Sequence, residues 1–127
     1  MLVDAMAVTT IPVTDLEVAK RFYGDALGLR LLEETQFSLR FGAGDGTQIS
    51  TFKRGPLERS ATVCHFEVTD IDATATDLRS RGVIFEEYAE GPLKTTNGIA
   101  QLGPARGAWF KDPDGNFLGL REGAIPG

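Results

Sequence analysis

One cysteine, one histidine and one tryptophan serve a chain of 127 residues. A lone thiol, Cys64, cannot close an internal disulfide, so the fold has to be held by burial. A lone imidazole, His65, rules out the two-histidine centres on which many zinc and iron sites are built. Positive charge is in short supply as well: 13 Lys+Arg against 18 Asp+Glu leave a net charge of -5, with no basic run or stripe. Contact with nucleic acid through counterion release is therefore not expected. No stretch approaches the ~18 apolar residues of a membrane span, so no membrane partner is expected. The N-terminus lacks the basic region and apolar core of a secretory signal. A cytoplasmic location is the expectation that follows.

What the chain does have is an apolar fraction of 42% spread along its length, enough at this size to bury a core without covalent staples. Met6 to Val13 reads as a strand, with Ile11 and Val13 on one face and Val8, Thr10 and Pro12 on the other. Thr14-Asp15 offers a helix cap. Leu16, Ala19, Phe22, Tyr23, Ala26 and Leu27 follow at helical spacing, and Gly28 supplies the stop. Three strands are expected next, at 29–32, 37–41 and 47–52, with 42–46 (Gly-Ala-Gly-Asp-Gly) as a hairpin turn.

The pattern then restarts. Val63 to Val68 reads as a strand, Thr69-Asp70 as a cap, and 71–81 as a helix closed by Gly82. Asp15 and Asp70 stand 55 positions apart (70 − 15). The same shift carries Val8 onto Val63, Val13 onto Val68 and Leu16 onto Ile71, an internal repeat. Strands are expected again at 84–88, about 106–110, and 117–121 after the turn 112–116 (Asp-Pro-Asp-Gly-Asn). The fold class expected is therefore α+β: two tandem β-α-β-β-β modules, about 6–52 and 63–122, joined by a linker 53–62 in one domain over 1–127. Each module should form a mixed four-stranded sheet with its helix outside, the two curling into a cup. The segment 89–105, broken by Gly91, Pro92, Asn97, Gly98, Gly103 and Pro104, reads as a long loop, either a lid or a contact excursion.

The phrases Ile11-Pro-Val-Thr-Asp-Leu-Glu, Arg21-Phe-Tyr-Gly-Asp-Ala-Leu-Gly-Leu, Phe66-Glu-Val-Thr-Asp-Ile-Asp and Asp112-Pro-Asp-Gly-Asn occur in that order. Together they resemble the vicinal oxygen chelate superfamily, which includes glyoxalase I, bleomycin-resistance proteins and extradiol dioxygenases. The likeness spans about residues 6–122. It implies paired β-α-β-β-β modules, commonly as a homodimer, and in many members a divalent metal held by side chains on the cupped sheets. Carried over by position, the family's metal ligands fall on Val8, Val63 and Gly119, none of which has a lone pair to donate, and near Gln48 or Ser50. No resident metal is expected on that basis. A shifted site drawn from His65, Glu67 and Gln48 is the remaining metal alternative.

His65 lies two residues beyond Val63 and so shares its face, where it is a candidate general base with Glu67, or a ligand anchor. Thr10, Gln48 and Ser50 would line the same cup as hydrogen-bonding groups. Trp109, Phe110 and Phe117 could stack a planar ligand or pack the core, and Arg121 and Arg106 could meet an anion. Cys64 alternates to the opposite face and is expected to be inert if a helix covers it. Two functions follow, beside a third class, a regulatory or assembly module whose cup is vestigial. The first is a metal-independent, glyoxalase/bleomycin-resistance-like protein that binds a hydrophobic or aromatic small molecule. The second is an enzyme of the same superfamily, a lyase, isomerase or dioxygenase, using His65 and Glu67 or an atypical metal.

Overall fold

A computed structural model describes residues 2–4, 6–55 and 61–123. Of the expected linker 53–62, residues 56–60 lie outside the described residues. The chain divides into two compact units, Met1–Glu58 and Arg59–Gly127, and the division falls inside that linker.

The first unit begins with β1 (Thr9–Val13). Asp15 then caps the helical turn α1 (Leu16–Ala19), its carboxylate accepting from the backbone N–H groups of Glu17 and Val18 at 2.9 and 3.1 Å. The helix continues as a π-helical segment, Lys20–Ala26. The backbone N–H of Leu27 donates to the Phe22 carbonyl five residues back, and Gly28, at φ +74°, ends the run in the left-handed region. Apolar spacing located this helix but could not separate an i→i+4 from an i→i+5 ladder, because both leave Ala19 and Tyr23 on the buried side.

Strands β2 (Arg30–Glu34), β3 (Ser38–Ala43) and β4 (Thr47–Lys53) complete a sheet of order β1-β4-β3-β2, in which β1 and β4 are parallel and the other pairs antiparallel. One face carries Ile11, Val13, Leu39, Phe41, Ile49 and Thr51, all nearly or fully buried, with Tyr23 packed 5.8 Å from the Phe41 ring. Burial of each large side chain is worth roughly 1.5–3 kcal/mol. The alternate residues lie on the other, helix-free face.

The second unit repeats the plan. Strand β5 (Thr62–Glu67) leads to α2 (Ile71–Ser80), whose N-cap Asp70 accepts from the Ala73 N–H at 3.0 Å. The expected strand at 84–88 is reduced to a single bridge, Phe85 to Phe110. Val83 and Phe85 point inward while Ile84 is 84% exposed, and the segment touches the strand of Phe110 only around that bridge, where the Glu86 N–H donates to the Trp109 carbonyl at 2.8 Å. Its place in the sheet is taken by the region read as a long loop. There β6 (Thr95–Thr96) and β7 (Ile99–Leu102) form a hairpin, followed by β8 (Ala105–Lys111) and β9 (Phe117–Glu122).

The hairpin turn is Asn97-Gly98, both at positive φ (53° and 77°), a pairing that suits a two-residue hairpin. Gly103-Pro104 makes a second two-residue turn between the paired Leu102 and Ala105. The second sheet thus has five strands in the order β5-β9-β8-β7-β6. Apart from the added β6, this is the order of the first, again with its first and last strands parallel. α2 packs on the face carrying Ala108, Phe110, Leu118 and Leu120. The architecture is α+β, two mixed sheets of four and five strands with few helices. No helix among the described residues is long and apolar enough to cross a membrane.

Candidate ligand-binding site

The strand registers fix which side chains share each helix-free face. On the first sheet Thr10 pairs with Ser50, and Ser50 with Arg40, so these three form one row across β1, β4 and β3. Gln48 stands one row away, paired with Gly42. Its side-chain carbonyl accepts from Arg40 Nη1 at 2.8 Å. Thr10, Gln48 and Ser50 therefore lie together, as their alternation in sequence implied. Arg40, not among the residues expected there, lies among them. Its signal was present: Leu39 and Phe41 alternate inward, which turns Ser38 and Arg40 to the polar side.

On the second sheet the row His65–Gly119–Trp109 runs beside the row Glu67–Arg121–Gly107. His65 Nε2 lies 2.7 Å from Glu67 Oε1, with the two side chains 47% and 42% exposed, so the pair belongs to the surface and not to the core. Arg121 is half-buried between Glu67 and Gly107 and makes no ion pair among the described residues.

Trp109 is half-buried and has glycine on both sides. A Cβ on Gly119 would stand 3.5 Å from the indole Cδ1, and one on Gly107 would stand 3.5 Å from the far edge of the same ring. The indole thus lies down along the sheet in space that two missing side chains leave. Tyr88 meets it edge-on at 5.9 Å, an arrangement favoured by ring quadrupoles. Tyr88 comes from the segment that failed to form a strand and was not legible as a site residue. Phe117 shares this face at its other end, with the Lys111 ammonium 5.0 Å from its ring centre. Phe110, by contrast, is fully buried against Phe85.

Arg106 does not stand free for an anion. It points to the helix side, where it donates to Asp72 at 2.8 Å and to both oxygens of Glu122, while Glu122 also accepts from the first N–H of α2. The Asp72 hydrogen bond, then that of Glu122, raise its already high pKa. A polar cavity of about 460 Å³ opens beside it, lined in part by Lys94, Asn97 and Gln101. Cys64 lies half-buried on the helix side of β5, and burial pushes its thiol pKa up, which disfavours the reactive thiolate.

The donor set for a divalent metal is poor. Val8, Val63 and Gly119 offer no lone pair, the Gln48 carbonyl accepts from the Arg40 cation, and His65, with Nε2 against Glu67, has only Nδ1 left to offer. No three His, Cys, Asp or Glu side chains among the described residues cluster as a metal site would require.

Residues 5–120 match the family model of the Glyoxalase/Bleomycin resistance protein/Dioxygenase superfamily. Among solved structures, an antibiotic binding protein of Streptomyces sp. CB03234, TnmS3, is 30% identical at a TM-score of 0.73, with 98% of this chain and 99% of that one covered. A glyoxalase/bleomycin resistance protein of the same Streptomyces is 31% identical at a TM-score of 0.67, covering 93% and 100%. A virulence protein of Salmonella typhimurium, STM3117, is 22% identical over 96% of this chain and 86% of its own length. By the family match across nearly its whole length, and by the paired β-α-β-β-β plan, this chain belongs to the glyoxalase/bleomycin resistance protein/dioxygenase superfamily.

Proposed function

We propose that this protein binds a hydrophobic or aromatic small molecule, without a resident metal, on the helix-free face of the second sheet. The observation that carries the reading is the Trp109 indole, laid flat between Gly107 and Gly119 and braced by Tyr88. A recumbent ring beside two glycines, with a Leu102 methyl over Gly107, is an apolar floor for a planar ligand, and His65 and Arg121 beside it supply polar anchors. The antibiotic-binding description of the Streptomyces relative supports a small-molecule ligand. Metal independence is supported by the donor set: three family ligand positions have no lone pairs, the Gln48 carbonyl is engaged by Arg40, and no three His, Cys, Asp or Glu side chains cluster among the described residues. Association as a homodimer is supported by the edge strand β2, where Leu31 and Leu32 are 40% and 49% exposed, and by Phe37 beyond it at 67%. A cytoplasmic setting completes the reading.

Trp109 is the single tryptophan, so its emission reports directly on this face. Titrating planar aromatic compounds in the presence of EDTA is expected to quench that emission saturably. It should also raise the melting temperature, by about 2.7 kcal/mol of added stability at 100 times Kd. Trp109→Ala should weaken the same compounds by about 1 kcal/mol, roughly fivefold, in calorimetry. Binding that vanishes with EDTA, or is unchanged in Trp109→Ala, would overturn the proposal.

The 2.7 Å contact between His65 and Glu67 favours a second reading, an enzyme of the lyase, isomerase or dioxygenase type. With Nε2–H donating to the carboxylate, Nδ1 is left as a proton acceptor on an accessible face. Under this reading His65→Ala loses at least about a hundredfold in turnover while keeping its melting temperature. A turnover that survives the substitution removes His65 from the chemistry.

A further inference from the structure

The first sheet carries a second kind of site. Arg40 is held at Nη1 by Gln48, while its Nε is enclosed and has no hydrogen-bond partner. Its cross-strand neighbour Glu33 makes no ion pair with it, and no other carboxylate among the described residues does so. Arg30 adds a second guanidinium on the same face. Its Nη2 lies 3.0 Å from where a Gly42 Cβ would stand, so its head group rests over the bare backbone of the residue paired with Gln48, and it bonds to the Gly44 carbonyl at 3.1 Å. Two permanently charged groups therefore occupy adjacent rows, beside the Ser50 and Thr10 hydroxyls, with only neutral acceptors among their hydrogen-bond partners. Glu33 lies in the same row but pairs with neither guanidinium, so two positive groups share this face with one carboxylate and keep an attraction for an anion.

We propose that Arg40 and Arg30, with Gln48 fixing the first of them and the Ser50 and Thr10 hydroxyls beside it, form a binding site for an oxyanion carried by a small molecule. The chemistry required is a carboxylate or phosphate group, whose geometry matches the planar guanidinium fork. This site goes beyond the aromatic floor around Trp109, and either can exist without the other.

The test is a nitrogen-15 NMR titration of the full chain with benzoate, phenyl phosphate and neutral benzyl alcohol. Saturable shifts centred on Arg40, Arg30, Gln48 and Ser50 are expected with at least one of the anions and not with the alcohol; which anion binds tighter distinguishes carboxylate from phosphate. Arg40→Gln should weaken the effective anion at least about tenfold, and a rise in salt should weaken it further. Arg30→Gln, at an exposed position, should weaken it severalfold and keeps the test valid if Arg40→Gln does not fold. No shift at these residues with either anion, equal shifts with the alcohol, or unchanged affinity in the folded variants would overturn the proposal. Quenching of Trp109 is read in the same samples, so failure here is separate from failure of the aromatic site.

Discussion

Cys64 and His65 are adjacent in sequence and point to opposite faces of one strand, and their chemistry diverges accordingly. His65 is accessible and engaged by Glu67, whereas Cys64 is turned to the helix side, where burial raises its pKa. The sign of the consequence for stability is fixed. Below the ordinary thiol value of about 8.5 both folded and unfolded chains hold the proton, and the group has no effect. As pH rises through that value the unfolded chain releases its proton first, so stability falls until the folded thiol also ionises. Denaturant midpoints between about pH 8 and 10 should therefore fall more steeply for the native chain than for Cys64→Ala. Parallel slopes would mean that the thiol is not desolvated. At this scale alternation in the sequence was a sound guide, placing Thr10, Gln48 and Ser50 together and separating Cys64 from His65. It could not have revealed that Gly119 lies beside the Trp109 ring, since that depends on the register of β8 against β9.

At the scale of elements, the two aspartate caps and the turn 112–116 differ in how deeply they are built in. Asp70 is exposed and satisfies one N–H of α2. Asp112 is 5% exposed, and its carboxylate accepts from the Asp114 and Asn116 backbones at 2.9 and 2.8 Å and from the Asn116 side chain at 2.7 Å. Asn116 is itself fully buried. The turn was expected from its proline and glycine, but its carboxylate is as much a part of it, closing the β8–β9 hairpin from inside. Asp70→Ala should cost about 1 kcal/mol. Asp112→Ala strands several buried donors at roughly 1–3 kcal/mol each and should cost about 3 kcal/mol or more. Chemical denaturation of the two variants measures the difference, and an Asp112→Ala no more damaging than Asp70→Ala would contradict this account.

The element that sequence reading misplaced is also instructive. Residues 84–88 have strand composition, yet they meet β8 only around Phe110, while the Asn97-Gly98 hairpin brings β7 against the first part of β8. The Asn-Gly dipeptide flanked by Thr96 and Ile99 is a readable hairpin signal inside the segment expected as a long loop.

For the whole molecule, the sequence by itself determined the duplicated plan. The 55-residue offset, two Asp caps and two glycine stops are local features, set by backbone dihedrals and capping chemistry that do not depend on distant contacts, and they predict two like units. The family followed from the same ordered phrases, and the absence of donors at Val8, Val63 and Gly119 was equally plain. Only tertiary structure decided which strand fills the β7 place, that Tyr88 reaches Trp109, that Arg106 is consumed by Asp72 and Glu122, and that Arg40 and Arg30 share a face. Each of these depends on cross-strand register or on a bulge, such as the one between Leu31 and Glu33. A shift of one residue turns every side chain of a strand to the other face, so such neighbours are fixed by packing between segments and not by the order of residues within one.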